Sequence, residues 1–349
     1  MNLLIVGNRG GTNIGGCFER AADTLRLSAH LVETWPAMAA PTMLRRMNWW
    51  LRGHRPTWLD TYSANVVDLA RQWRPALVLA VGIAPLNAKA LRALGTLGAV
   101  CVNYLTDDPW NPSHHAPWFF DALPHYHLIL TPRRANLDDL RRSGSPNVSY
   151  LPFAYDPALH YPPVAADLLS ADTSDTDVLF VGAGDADRVP LITALARSGY
   201  RLSLYGSFWE RYAATRSLSQ GQIDVATLRK VTGGARVALC LVRRANRDGH
   251  VMRSYEIPAM GACMLTEDTL EHRELFGIEG EATLYFHTTE TLLEKLRWLL
   301  ANPAERTRLA SAAHSRIVAG ANTYADRLRA VLELTGLAGH GPRRFEPTL

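Results

Sequence analysis

Residues 253–267 read Arg-Ser-Tyr-Glu-Ile-Pro-Ala-Met-Gly-Ala-Cys-Met-Leu-Thr-Glu, a pattern that predicts a short helix followed by a buried strand. An apolar run at 237–242 precedes it, and the loop between them, 243–252, is rich in arginine. Gly261 stands where the helix is expected to end, since glycine readily adopts the left-handed conformation that closes helices. The stretch predicts a strand–helix–strand unit whose loop brings cationic groups and backbone amides to the start of the helix.

The same alternation of strand and helix runs along the whole chain. It covers residues 3–151, and it starts again at 177 after a proline-rich and then acidic linker at 151–176. The run Asp-Val-Leu-Phe-Val-Gly at 177–182 repeats Leu-Leu-Ile-Val-Gly at 3–7, and each ends in a glycine-bearing loop. We therefore predict an α/β protein of two Rossmann-like domains, with bounds 1–155 and 175–322. A terminal helix at 323–336 is a candidate to return to the first domain, and the tail at 338–349 is expected to be disordered.

Composition sets broad limits on function. The chain has 349 residues, 47% of them hydrophobic and 20% charged, with a formal net charge of +4. This modest charge permits an anionic substrate or a membrane surface, and we expect no nucleic-acid partner. No apolar run approaches the ~20 residues that span a bilayer, and the chain opens on a strand-like run, so we expect a cytoplasmic protein. The cysteines are far apart along the chain, which favours buried reduced thiols: Cys17, Cys101, Cys240 and Cys263.

Several catalytic classes lack their signatures. Residues 182–187, Gly-Ala-Gly-Asp-Ala-Asp, offer two glycines of the dinucleotide fingerprint but not the third, and no acid ends the next strand at 204–206. The motifs of hydrolases with a nucleophile elbow, of zincins and of P-loop enzymes are absent. The histidine pairs at 114–115 and at 125 and 127 lack partners at metal-ligand spacing. We predict neither a metal nor a cofactor.

Five short motifs follow one another through the second half of the chain: Phe-Val-Gly at 180–182 with Arg188, Leu-Tyr-Gly at 204–206 with Trp209, Arg-Ser-Tyr-Glu at 253–256, Pro-Ala-Glu-Arg at 303–306 and Tyr-Ala-Asp-Arg at 324–327. Their order and spacing over most of residues 177–332 resemble the CgeB-like (spore maturation protein) branch of the group 1 glycosyltransferases. Residues 103–109 and 151–156 resemble it less specifically, and Cys240 departs from it where an Asn-like residue is expected. The resemblance implies the GT-B fold, in which two doubly wound domains face an interdomain cleft.

The resemblance also implies a donor site for a nucleotide-diphosphate sugar. Glu256 matches the second acid of the group's E-x7-E pattern, which hydrogen-bonds the nucleotide ribose, and Asp248 holds the first position as a shorter acid. Asp248 either contacts the donor sugar or only forms a turn with Gly249. Arg188 and Arg253 are candidate ligands of the diphosphate, since guanidinium groups bind phosphate oxygens in pairs. The candidate site is completed by Gly182, Gly184 and Tyr255, whereas surface positions are expected for Arg243, Arg244 and Arg247.

On the first domain, Thr-Asp-Asp-Pro at 106–109 follows a predicted strand. Asp107 or Asp108 is a candidate to orient the acceptor or to act as a base, and the alternative is a turn that caps the next segment. The E-x7-E relationship implies a retaining, metal-independent transfer, whereas an inverting enzyme would use a base such as Asp107.

Three functional alternatives stay open at this point: a glycosyltransferase, a nucleotide-sugar 2-epimerase of the same architecture, and a nucleotide-sugar-binding subunit without catalysis. The acceptor class is open among a glycan, a protein and a small metabolite. The segment 47–52, Met-Asn-Trp-Trp-Leu-Arg, is a candidate amphipathic helix that touches acceptor or membrane. The alternative is a surface excursion with its aromatic side chains tucked underneath.

Overall fold

The structure, a computed structural model, describes residues 1–164 and 176–340. The chain divides into two compact units: unit 1 is Met1–Pro152, Ala245–Arg247 and Tyr324–Leu349, and unit 2 is Phe153–Arg244 and Asp248–Thr323. Each unit holds one parallel sheet with helices packed beside it. This confirms the predicted α/β fold with two doubly wound domains. Residues 165–175 of the predicted linker at 151–176, and residues 341–349 of the predicted disordered tail, lie outside the described residues.

Unit 1 contains a six-stranded sheet in the order β2-β1-β3-β4-β5-β6. Its strands are β1 Asn2–Gly7, β2 Ser28–Glu33, β3 Leu77–Val81, β4 Val100–Tyr104, β5 Leu128–Thr131 and β6 Val148–Tyr150. Its helices up to β6 are α1 Ile14–Thr24, α2 Thr42–Leu51, α3 Leu59–Trp73, α4 Ala88–Thr96, α5 Pro117–Ala122 and α6 Leu137–Arg142. The central strands are apolar on both faces because helices cover the sheet on both sides.

Unit 2 repeats this topology with five strands, in the order β11-β10-β9-β7-β8. The strands are β7 Val178–Val181, β8 Leu202–Tyr205, β9 Val237–Cys240, β10 Met264–Glu267 and β11 Leu284–Phe286. The helices are α7 Arg188–Arg197, α8 Val225–Gly234, α9 Arg253–Ala259, α10 Leu270–Phe276, α11 Thr289–Ala301 and α12 Pro303–Ala319. In both sheets the first strand of the unit lies between the second and the third, so the strand order reverses there. That reversal places a ligand crevice beside the carboxyl ends of β7 and β9 in unit 2.

The last helix, α13 Tyr324–Leu334, belongs to unit 1 although it follows unit 2 in the chain. It packs on α1, where the rings of Phe18 and Tyr324 meet edge to face with centroids 5.3 Å apart. Tyr104 of β4 packs on the other side of Phe18 at 5.4 Å. All three rings are buried, so α13 covers apolar surface of unit 1.

Some predicted elements differ from the structure. Helices α5 and α10 are absent from the prediction because each is short and buries only a few apolar side chains. A 3₁₀ turn, Arg134–Asn136, leads directly into α6. The predicted strand 237–242 ends at Cys240, after which the chain leaves the sheet. Among the described residues, no helix is both long enough and apolar enough to cross a membrane.

Candidate functional site

The crevice of unit 2 is bridged by Arg188, the first residue of α7. Its guanidinium donates through Nη1 to the carbonyl of Ala183, after β7, at 3.0 Å, and through Nη2 to the carbonyl of Leu241, after β9, at 2.9 Å. Asp185 accepts from the Arg188 backbone N–H at 3.0 Å and also lies 3.6 Å from its Nε. Burial lowers the pKa of Arg188, which Asp185 partly opposes. Arg188 therefore ties together the two loops that border the crevice, and two of its nitrogens are already committed to the backbone.

Two predicted glycines shape the loop after β7. A Cβ atom on Gly182 would stand 2.9 Å from the ring of Phe180, and one on Gly184 would stand 2.9 Å from the indole of Trp209. Trp209 is fully buried, and its Nε1 donates to the carbonyl of Gly182 at 2.8 Å. Since a buried indole held by a hydrogen bond cannot yield easily, a larger residue at 184 would displace the loop. The glycines thus keep this loop against its own core.

The loop that follows β9 is closed by Asp248. Its Oδ2 accepts from the backbone N–H of Arg243 at 3.3 Å, and its own N–H donates to the carbonyl of Arg243 at the same distance. These bonds hold the loop closed through Arg243, and a sugar contact by Asp248 stays a prediction. Arg243 was expected to be an ordinary surface arginine, yet its Nε lies 3.7 Å from Asp185 Oδ2. Its partly exposed cation therefore lies at the same crevice as Arg188.

Helix α9 carries the central pair of the predicted site. The Arg253 guanidinium contacts a carboxylate oxygen of Glu256 one turn later, and the other oxygen lies 3.5 Å from Nε2 of His160. Glu256 is 1% exposed. Burial lowers the pKa of Arg253 to about 10, and its Nε makes no hydrogen bond within the described residues. Glu256 is thus enclosed and ion-paired, and its predicted ribose contact stays a prediction.

Tyr255 lies between these two residues in the sequence and is itself buried. Its ring meets that of His250 edge to face, with centroids 5.6 Å apart. His250 accepts a hydrogen bond from the backbone N–H of Phe153 at 3.2 Å. The contacts of Tyr255 therefore hold α9 against the preceding loop, and a direct donor contact by this residue stays a prediction.

A buried polar network that the sequence interpretation missed lies behind α9. Ser254 Oγ lies 2.8 Å from His272 Nε2, and His272 Nδ1 lies 2.8 Å from the carbonyl of Glu267. Burial lowers the pKa of His272 to about 4, so the neutral ring donates from Nδ1 and accepts from the serine hydroxyl. Cys240 Sγ lies 3.6 Å from the same hydroxyl, so a thiol occupies the position where an Asn-like residue was expected. The network fixes the start of α9 relative to β9 and α10.

Glu267, the last residue of β10, is a second candidate that was not predicted as a site residue. One carboxylate oxygen accepts from the backbone N–H of Val242 at 2.7 Å, and the other lies 3.3 Å from Nη2 of Arg244. Its signal in the sequence was an acid at the carboxyl end of a buried strand, which is where ligands bind in parallel sheets. It stabilises the exit of the chain from β9.

In unit 1 the two predicted acids, Asp107 and Asp108, differ in solvent exposure and in their partners. Asp108 is buried and accepts from Arg247 Nε at 2.6 Å and from Asn136 Nδ2 at 2.8 Å. Arg247, exposed as expected for a surface arginine, also pairs with Asp139 at 2.6 Å. Asp107 keeps 39% of its side-chain area exposed, 3.8 Å from His114 Nδ1. Only Asp107 therefore presents a carboxylate to solvent, while Asp108 serves the packing of unit 1.

The structure thus brings together Arg188, Arg243, Asp185 and Asp248 around the end of β9, with Arg253 and Glu256 on the helix that follows. We call these six residues the arginine cluster. Its cations suit a polyanionic ligand, since guanidinium groups hold phosphate oxygens through charge-assisted hydrogen bonds. Within the described residues, no group of three His, Cys, Asp or Glu side chains is placed to hold a metal ion.

The part of the chain that carries most of the arginine cluster is similar to a known protein family. Residues 188–333 match the model of a family described as glycosyl transferase-like. The match begins at Arg188 and includes every residue of the arginine cluster except Asp185. Residues 188–333 are therefore similar to the glycosyl transferase-like family. The match confirms the prediction of a glycosyltransferase, at the level of this broader family rather than of the CgeB-like branch. No curated protein matches the sequence.

Solved structures share the fold across nearly the whole chain. A sucrose-phosphate synthase from Thermosynechococcus elongatus is 14% identical with a TM-score of 0.69, and the alignment covers 97% of this chain and 100% of that one. HepE from Anabaena, in complex with UDP-glucose, is 14% identical with a TM-score of 0.63 and coverage of 96% and 99%. A trehalose-6-phosphate synthase, whose structure was described in connection with enzymatic glycosyl transfer with retention, is 12% identical with a TM-score of 0.62. The alignment covers 98% of this chain and 100% of that one. At such low identity these likenesses show the fold, and they confirm the predicted GT-B type.

Proposed function

We propose that this glycosyltransferase takes its sugar from a nucleotide-diphosphate sugar bound at the arginine cluster of unit 2. The observation that carries the proposal is Arg253, a cation with a buried Nε that donates to no acceptor within the described residues. A buried donor without a partner costs free energy, so a ligand that accepts from it is favoured. An anionic diphosphate fits both the charge and the position at the carboxyl edge of the sheet.

The residues of the cluster take different roles in this proposal. Arg253 and Arg243 bind the diphosphate, whereas Arg188 holds the loops that border it, because its Nη atoms already bind two carbonyls. The diphosphate competes with Glu256 for Arg253. Displacement from that ion pair leaves the Glu256 carboxylate to accept hydrogen bonds from the ribose hydroxyls.

The reaction breaks the bond between the anomeric carbon and the diphosphate oxygen, and the bonding electrons leave with the oxygen. Guanidinium groups fixed near that oxygen stabilise the developing charge more in the transition state than in the bound donor. An acceptor hydroxyl forms the new bond to the anomeric carbon on the leaving-group face, and its proton passes to the departing diphosphate oxygen. We propose retention without a metal ion, because the D-x7-E pattern resembles that of retaining enzymes. Asp107 is proposed as the acid that orients the acceptor.

We also propose that the chain belongs to the CgeB-like branch, because its five motifs between residues 180 and 327 follow one another in the order typical of that branch. UDP is the nucleotide we favour, since the structure of the similar Anabaena HepE contains UDP-glucose. The acceptor is proposed only by class, as a hydroxyl of a glycan, protein or small metabolite. The 2-epimerase and the binding subunit without catalysis are the competing functions.

Donor binding and turnover can be measured without knowledge of the acceptor. Thermal shift with UDP-, GDP- and dTDP-sugars should single out one nucleotide, since donor at 100 times its Kd stabilises the fold by about 2.7 kcal/mol. Slow release of nucleoside diphosphate from that donor then supports a transferase. Formation of a 2-epimerised sugar would instead establish the epimerase, and tight binding without turnover would establish the binding subunit. Loss of donor binding in Arg253→Ala but not in Arg197→Ala, an exposed arginine of α7, places the donor at the cluster.

A further inference from the structure

Helix α2 has none of its ten residues buried, which is unusual for a helix with six large apolar side chains. Met43, Met47, Trp50 and Leu51 follow the spacing i, i+4, i+7 and i+8, so they form one stripe along the helix. Met43 is 83% exposed, Trp50 78% and Leu51 77%. A contiguous stripe of four large apolar side chains on a surface indicates a binding face, whereas apolar residues that are exposed singly do not.

The opposite side of α2 attaches the helix to unit 1. Trp49 stacks on His54 with ring centroids 4.6 Å apart and an angle of 23° between the planes. The carbonyl of His54 accepts from Trp118 Nε1 of α5 at 3.3 Å, and Asn48 Nδ2 lies 3.4 Å from the carbonyl of Arg55. These contacts fix which side of α2 faces the protein. The alternative of aromatic side chains tucked underneath therefore describes Trp49 and not Trp50.

The charge around the stripe is of one sign. Between Glu33 and Asp60 the sequence contains four arginines and no acid. Arg55 pairs with Asp60 at 2.5 Å, whereas Arg45, Arg46 and Arg52 are exposed and form no ion pair within the described residues. An exposed apolar stripe with tryptophan, on a helix whose exposed arginines form no ion pair within the described residues, is the pattern of helices that lie in the plane of a membrane interface. Charge complementarity thus selects an anionic surface as the occupant.

We propose that α2 docks unit 1 onto an anionic lipid bilayer. Met43, Met47, Trp50 and Leu51 enter the boundary between headgroups and acyl chains, while the three unpaired arginines contact lipid phosphates. The helix lies on the membrane and does not cross it. A surface of this kind gives the enzyme access to an acceptor or product held in the membrane, and it acts independently of donor binding at unit 2.

Flotation of the full chain with lipid vesicles tests the proposal. The wild type should float with vesicles of phosphatidylcholine containing about 30% phosphatidylglycerol and not with phosphatidylcholine alone. Raising the salt from 0.1 M to 1 M should release much of it, since the Debye length falls from about 10 Å to about 3 Å. Trp50→Glu and the double variant Arg45→Glu/Arg46→Glu should each weaken binding about tenfold or more.

A matched control is Trp298→Glu, an exposed tryptophan of α11 in unit 2, which should bind vesicles as the wild type does. Because Trp50 is 78% exposed, the Trp50 variant should keep the wild-type melting temperature and donor hydrolysis. Absence of flotation by the folded wild type overturns the proposal, as does equal flotation of wild type and Trp50→Glu. Light scattering that shows a dimer dissociated by Trp50→Glu, without vesicle binding, would assign the stripe to self-association instead.

Discussion

Arg253 and Glu256 lie one turn apart on α9, and the guanidinium contacts a carboxylate that is 1% exposed. Both charges lie in a poorly solvated environment, so each depends on the other for compensation. Removal of one member of such a pair leaves the other with an uncompensated charge, which costs more than the intact pair contributes. The pair therefore links the stability of unit 2 to the proposed donor contacts.

Glu256→Gln should lower both stability and donor affinity. The neutral amide leaves Arg253 without its counter-charge, at an expected cost of about 1 to 3 kcal/mol in the free energy of unfolding. Loss of charge-assisted hydrogen bonds to the ribose should weaken donor binding roughly tenfold to a hundredfold. Urea unfolding and calorimetric titration of the donor measure the two effects separately.

The control for this variant is Glu305→Gln, because Glu305 pairs with Arg308 at the same spacing on an exposed helix face. We expect it to change neither stability nor donor affinity appreciably. If Glu256→Gln lowers the melting temperature but binds donor like the wild type, then Glu256 only compensates Arg253. In that case the ribose role is refuted.

Arg253→Ala and Arg188→Lys should separate a ligand contact from a positioning contact. Loss of Arg253 should weaken binding of the isolated nucleoside diphosphate by roughly a hundredfold, because a charge-assisted contact is removed. Arg188→Lys should weaken it less but lower the melting temperature, since one ammonium group cannot reproduce the two parallel carbonyl contacts. Equal losses of binding with unchanged stability in both variants would contradict this division.

Asp107→Asn and Asp108→Asn should affect different properties. Asp107 is partly exposed, so its variant should retain the wild-type melting temperature and lose roughly a hundredfold or more in transfer rate if the acid acts in the reaction. Asp108 compensates Arg247 inside unit 1, so its variant should unfold more easily, by about 3 kcal/mol. A stable Asp108→Asn protein with impaired transfer would return Asp108 to the list of catalytic candidates.

Acid should weaken unit 2 through His272. Burial lowers the pKa of this histidine from 6.5 to about 4, so the unfolded chain takes up a proton at pH values where the folded protein stays neutral. The contribution is fully present above about pH 6.5 and is lost as the pH falls towards 4, by up to about 3 kcal/mol. Denaturant unfolding at pH 7 and at pH 5 should show the loss, and His272→Gln should show less of it. An equal pH dependence in the variant would assign the effect to other groups.

The thiols should be unreactive in the folded protein. All four cysteines are buried thiols, and burial raises the pKa of Cys240 to about 11 and those of Cys101 and Cys263 to about 12. Since the thiolate is the reactive form, an aromatic disulfide reagent at pH 7.5 should find almost no fast-reacting thiol. Unfolding in guanidinium should expose all four. A thiol that reacts within seconds in the native state would show that its surroundings open.

Sequence periodicity predicted all eleven strands of the described residues, because parallel strands buried on both faces are continuous apolar runs. It missed α10, whose first residue, Leu270, is 62% exposed, so the apolar face is too narrow to be recognised.

The contacts of Arg188 could not be predicted either. They join α7 to Leu241, 53 residues further along the chain, and depend on the order of strands in the sheet. The Arg253–Glu256 pair was accessible from its helical spacing, yet its burial depends on tertiary packing around His160. Sequence patterns therefore indicated the elements more reliably than the partner of each polar side chain.

Helix α13 covers Phe18 of α1, although the two are separated by the whole of unit 2 in the chain. During synthesis at about 5 to 20 residues per second, α1 must therefore wait roughly ten seconds or longer for its partner to emerge from the ribosome. Throughout that interval the apolar surface around Phe18 is open to chaperones and to other nascent chains. A product terminated before Tyr324 would carry that surface permanently, so premature termination should yield aggregates rather than a functional first unit.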